Sequence, residues 1–128
     1  MSKTVLMMLL VIVGNNTMAD WVAIGTNANF TSYADPTSIR PSGNKAKMLS
    51  LIDNKTSLII AGQPYTSVKT QHEFDCRTEQ ARRLSSTIYS GHMGSGDVVQ
   101  SKFSADDWAP VPTRNLLEIL WKLACGKS

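Results

Sequence analysis

Two cysteines and two histidines are all that this 128-residue chain offers of the side chains most used for metal binding and nucleophilic catalysis. The cysteines are Cys76, in EFDC, and Cys125, in KLACGKS; the histidines are His72 and His92. No CxxC or HxxH spacing occurs, which removes the common zinc frameworks. No GxSxG or HExxH string occurs either, and His72, His92, Glu73, Asp75 and the serines do not assemble into a nucleophile, a base and an orienting group. Cys76 and His72 share a strand face, but four residues at about 3.3 Å each put their side chains about 13 Å apart, too far for a thiol–imidazole couple. The chain carries a formal charge of only +3, and apart from Arg82–Arg83 its basic residues are scattered, so the concentrated basic face of a nucleic-acid reader is missing. Internal repeats and low-complexity linkers are lacking, and the length suits one domain. The expectation is a protein with no catalytic, cofactor-binding or metal-binding residues, no cofactor and no nucleic-acid partner.

The longest apolar run, Val5–Val13, has nine residues, well short of the about 20 that a membrane-spanning helix needs. With Lys3 before it, and the small residues Thr17 and Ala19 after it, the run reads as the core of a secretory signal peptide over residues 1–19. The mature domain is then 20–128, with 12 basic against 10 acidic residues and no transmembrane anchor. No cysteine stands near the cut to carry a lipid. Export places the domain in a periplasm or outside the cell, where two lone cysteines pair. Closing a loop of this size between Cys76 and Cys125 stabilises the fold by about 4 kcal/mol in the chain-entropy picture.

The mature chain reads mostly as strands. WVAIGT (residues 21–26) is short, apolar and β-branched, NAN turns the chain, and FTSYA (30–34) returns. Pro36 makes DPTSI an edge or a turn. KAKMLSLID (45–53) alternates imperfectly; NKTSLIIAGQPYTS (54–67), broken by Gly62, Gln63 and Pro64, reads as an irregular connection. SVKTQHEFDC (67–76) is the clearest strand, with Val68, Thr70, His72, Phe74 and Cys76 on one face and Lys69, Gln71, Glu73 and Asp75 on the other. ARRLSSTIYS (81–90) returns beside it. The glycine-rich GHMGSGD (91–97) lacks the lysine and helix of a phosphate loop and reads as a bend before VVQSKF (98–103). SADDWAPVP (104–112) is extended, and the period then changes to that of a helix within residues 113–126, capped by Thr113 and stopped by Gly126. Leu116, Leu117, Leu120, Trp121 and Ala124 form its apolar stripe. The fold class is therefore α+β: an antiparallel sheet of about six strands, with a C-terminal helix packed on it and tied by the Cys76–Cys125 disulfide. Trp21, Phe74, Leu84, Trp108, Leu117 and Leu120 are the expected core.

A tryptophan just after the leader, then DPTSI, SVK followed by EFDC, MGSG, a W-x-P-V-P segment and a near-terminal helical cysteine occur together in that order. This combination resembles the surface-adhesin protein E family of exported Gram-negative proteins, over nearly the whole mature chain. The resemblance implies a helix-on-sheet fold and a non-enzymatic binding module whose partner is a protein or peptide, a host matrix protein included. Two alternatives stand beside it: a periplasmic structural or assembly factor acting as a homodimer through an open sheet edge, and a small enzyme of unknown type.

Overall fold

Alternation of covered and open side chains along successive segments builds a seven-stranded antiparallel sheet in this computed structural model, which describes residues 19–127. The leader expected at 1–19 lies outside the described residues except for Ala19. Strands β1 (Val22–Thr26), β2 (Phe30–Ser42), β3 (Lys45–Ile60), β4 (Gln63–Asp75), β5 (Gln80–Tyr89) and β6 (Val98–Lys102) lie side by side in chain order. A two-residue strand, β7 (Ala109–Pro110), pairs with β5 opposite Gln80 and Ala81. Among the described residues one α-helix, α1 (Leu116–Cys125), follows the strands.

Two local readings of the sequence are corrected. Residues 54–67 are not an irregular connection, because β3 and β4 run on to a two-residue turn at Ala61–Gly62. Both turn residues have positive φ, 50° and 78°, the backbone that matches hairpin twist, and Pro64 is tolerated so close to the start of β4. Pro36 lies inside β2 on a stretch that is an edge, as its type suggests. There β1 has already stopped pairing at Ala34 and the register with β3 breaks between Asp35 and Arg40, so no ladder bond is lost. The helix is capped by Asn115, whose side-chain oxygen accepts the backbone N–H groups of Leu117 and Glu118 at 2.7 and 3.3 Å. Thr113 is two residues too early, since Arg114 takes a left-handed φ of 59° before the helix starts. Glu118 reciprocates by accepting the Arg114 N–H at 3.1 Å.

The helix packs on one face of the sheet. Leu120, Trp121 and Ala124 bury against Ala34, Ala46, Met48, Phe74 and Ala81. Three of these sheet residues are alanines, which let the helix come close. Gly25 allows the same at the helix start: a Cβ there would lie 2.9 Å from a methyl of Leu116. The Trp121 indole donates to the Asp75 carbonyl at 3.0 Å, so its burial leaves no polar atom unsatisfied. Cys76, just past β4, and Cys125, the last residue of α1, are joined by a disulfide with a Cα separation of 5.6 Å.

Phe74 and Leu120 are buried, and Leu117 is half-buried against the same cluster. Trp21, Leu84 and Trp108 stand outside that cluster, each half-buried. Leu84 sits where the register between β4 and β5 shifts, with no residue opposite it. Trp108 lies beneath the Arg82 guanidinium, 4.6 Å from its ring centre, on the sheet face opposite the helix.

That second face is covered by connections. Ser90–Asp97 folds back over β3 and β4, with a 3-10 turn at His92–Gly94. The wholly buried Ser67 holds it, donating to the Gly91 carbonyl at 2.6 Å and accepting the Gly94 N–H at 2.8 Å. Asp53 accepts the Met93 N–H at 3.0 Å and lies 3.1 Å from His92 Nδ1. The glycine-rich stretch is thus a clamp across the sheet.

Candidate binding cleft

The two histidines point to opposite faces. His72 is in register with Met48 and beside Phe74 on the helix face, whereas His92 pairs with Asp53 on the other. No site brings them together. His72 Nε2 lies 2.7 Å from Ser50 Oγ, two strand positions that sequence spacing alone does not connect. Burial, and then the nearby Arg83 charge, lowers the His72 pKa from 6.5 to about 4, so the ring is neutral at physiological pH. A neutral imidazole on a hydroxyl is the beginning of a nucleophilic couple. Here Ser50 is 7% exposed, and among the described residues no carboxylate hydrogen-bonds the ring. A small hollow of about 230 Å³ beside His72 is walled by Ala81, Leu117, Arg83 and Asp106. Asp106 is already engaged by Arg83 at 2.7 Å and Lys102 at 3.2 Å, and those hydrogen bonds hold its pKa below the ordinary carboxylate value. The Ser50–His72 pair is a satisfied polar contact inside the sheet–helix interface.

Glu73 pairs with Arg82 at 2.8 Å, while Asp75 caps the following turn by accepting the Arg77 and Thr78 N–H groups at 3.0 Å. Among the described residues no three of His, Cys, Asp and Glu are grouped so as to hold a metal, and no helix is long and apolar enough to cross a membrane.

The larger concavity, about 610 Å³, opens on the second face. Its floor comes from the sheet: Leu49 of β3 lies opposite Asp35 of β2, and Lys69 of β4 lies in the next row, opposite Leu51. Trp21, just before β1, and Met93, from the clamp, supply apolar walls, and Arg40 adds a second cation. Among the described residues neither Lys69 nor Arg40 forms an ion pair. The Lys69 ammonium rests over the Tyr89 ring, 5.6 Å from its centre, and Arg40 donates to the Thr37 and Ile39 carbonyls at 3.0 and 2.9 Å. The one acid in the lining, buried Asp35, is turned inward and accepts the backbone N–H and the hydroxyl of Thr37. An aromatic wall, a thioether and two cations without acidic partners suit an anionic group carried beside an apolar one.

Sequence reading missed this cleft apart from Trp21, placed there in the core. The available signal was Lys69, a lone cation on the polar face of the clearest strand; Arg40 and Met93 come from segments that no periodicity links to it.

The family model for surface-adhesin protein E matches residues 21–126. Among solved structures, a crystal form of Haemophilus influenzae protein E is 14% identical, with a TM-score of 0.68 over 91% of this chain and 97% of that one. Protein E from non-typeable Haemophilus influenzae is 12% identical, with a TM-score of 0.61 over 85% and 86% of the two chains. These identities establish likeness of fold. No curated protein matches the chain.

Proposed function

We propose that this chain, which belongs to the surface-adhesin protein E family, is a non-enzymatic binding module that holds a protein partner in the cleft on the sheet face opposite the helix. As a member of that family it is an exported protein of a Gram-negative bacterium. The carrying observation is the pair of cations, Lys69 and Arg40, free of ion pairs among the described residues and set beside Trp21 and Met93. Such a lining favours a partner that presents an acidic side chain next to an apolar one, and host matrix proteins are the partners that family membership puts first. Ser50 and His72 are both buried, and among the described residues no carboxylate orients the ring, which supports the non-enzymatic reading.

The test is surface plasmon resonance on a panel of purified matrix proteins, with the wild-type mature chain and Lys69→Glu and Arg40→Glu variants. Binding by wild type that falls at least about tenfold in each charge reversal supports the proposal. Failure of the wild type to bind any of the panel removes matrix proteins, and undiminished binding by both variants removes the cleft.

One observation favours a second reading, that of an envelope assembly factor acting as a dimer. Among the described residues the outer edge of β6 is unpaired, and Val98 in it and Phe103 just past its end are 57% and 77% exposed. A concentration-dependent dimer in sedimentation equilibrium, dispersed by a proline at Gln100, is the outcome that reading requires.

A further inference from the structure

The tip of the β3–β4 hairpin belongs neither to the helix-face core nor to the cleft. Pairing of β2 with β3 begins at Phe30 opposite Asn54, and pairing of β4 with β5 ends at Ser67 opposite Tyr89, so beyond these points the hairpin has no flanking strand among the described residues. The register shifts between Asp53 and Leu58, and then Leu58, Ile59 and Ile60 face Tyr65, Pro64 and Gln63 around the Ala61–Gly62 turn. Polar and glycine-rich residues usually occupy such a turn. Here branched apolar side chains lead into it: Ile59 is 68% exposed and Leu58 42%. From Asn54 to Gln71 the chain holds no acidic residue and two cations, Lys55 and Lys69.

What can cover such a tip is limited by its size. Two exposed side chains fall far short of the roughly 1,000 Å² that a specific protein interface should clear. A lipid surface asks for no matching shape. It takes a few apolar side chains into the headgroup–acyl boundary, holds lysine and tyrosine at headgroup level, and repels acids where its lipids are anionic. The tip meets each condition, with Leu58 and Ile59 exposed just behind the turn, Tyr65 paired to Leu58, Lys55 exposed behind them and no acid in the segment. We propose that the Leu58–Ile60 tip docks on an anionic phospholipid surface, with Leu58 and Ile59 entering the boundary and Lys55 and Tyr65 at the headgroups. Two side chains and one cation give reversible, salt-sensitive attachment and not a permanent anchor. A Gram-negative envelope brings an exported protein next to such surfaces. The cleft on the second face plays no part in this contact.

Vesicle flotation with the mature, oxidised chain tests the proposal. The vesicles contain phosphatidylethanolamine and phosphatidylglycerol, with phosphatidylcholine alone as comparison. The wild type is expected to float with the anionic vesicles at low salt and to be released by high salt. Ile59→Asp should lower its partition coefficient about tenfold or more, the effect of taking one buried aliphatic side chain away and adding a charge. Lys55→Glu should lower it less and only on anionic vesicles. Both positions are exposed, so unchanged melting by circular dichroism establishes that the variants are folded. The proposal is overturned if the wild type stays unbound, if Ile59→Asp floats as well as wild type, or if Ile59 instead drives self-association without vesicle binding, which would give the tip to a second copy. Lys69 and Arg40 are intact in these variants, so matrix-protein binding stands or falls separately.

Discussion

His72 shows how one side chain couples the sheet to solution conditions. Its folded pKa of about 4 lies below the unfolded value of 6.5, first because burial disfavours the charged ring and then because of Arg83. The unfolded chain therefore binds the proton more readily. His72 costs nothing above about pH 7, and its contribution to stability is lost as the pH falls from there towards 4. The shift corresponds to about 3 kcal/mol, fully spent at about pH 4 and below. Urea-unfolding midpoints measured across this range should fall accordingly, and a His72→Gln variant should show a much flatter profile. An equally steep profile in the variant would assign the acid sensitivity to other groups. The face on which His72 lies was legible, because the alternation in SVKTQHEFDC puts it with Phe74. Its partner was not: Ser50 is 22 residues away, and only the register between β3 and β4 brings the two within 2.7 Å. The cleft was hidden for the same reason. Trp21, Arg40, Lys69 and Met93 are contributed by separate segments, and strand register and the Ser67–Asp53 clamp assemble them.

Among the elements, the helix was the easiest to read and its first residue the hardest. A stripe at helical spacing locates α1, and Gly126, with a left-handed φ of 68°, ends it as its type suggests. The start depends on where the backbone first becomes helical, and the left-handed Arg114 moves the cap from Thr113 to Asn115. Asn115→Ala should cost about 1 kcal/mol in thermal or urea unfolding, whereas Thr113→Ala should cost close to nothing. Leu120, 6% exposed against Met48 and Phe74, should cost about 2–5 kcal/mol when cut back to alanine; a loss below about 1 kcal/mol would mean that the helix is seated differently. The β3–β4 hairpin was misread because Gly62, Gln63 and Pro64 break the strand pattern in sequence. In space the break is only a two-residue turn, since Ala61 accepts a positive φ beside Gly62.

At the scale of the whole molecule, the two faces of one sheet are covered unequally. One is closed by α1 and by the Cys76–Cys125 bridge; the other is covered piecemeal by a clamp and by Trp108, and so keeps room for a ligand. Scarcity of cysteine, in a chain read as exported, was enough to expect the bridge, while the unequal covering of the two faces could not be read without the register. Replacing Cys76 and Cys125 by serine together should lower stability by about 4 kcal/mol while the cleft retains its shape, as judged by urea unfolding beside partner binding under native conditions. The division between faces is most directly tested by hydrogen–deuterium exchange of the mature chain with and without a saturating matrix-protein partner. Slower exchange is predicted around Trp21, at residues 35–40 and across residues 91–94, with α1 unchanged; slowing confined to α1 and the strands' helix-facing contacts would contradict a binding face opposite the helix.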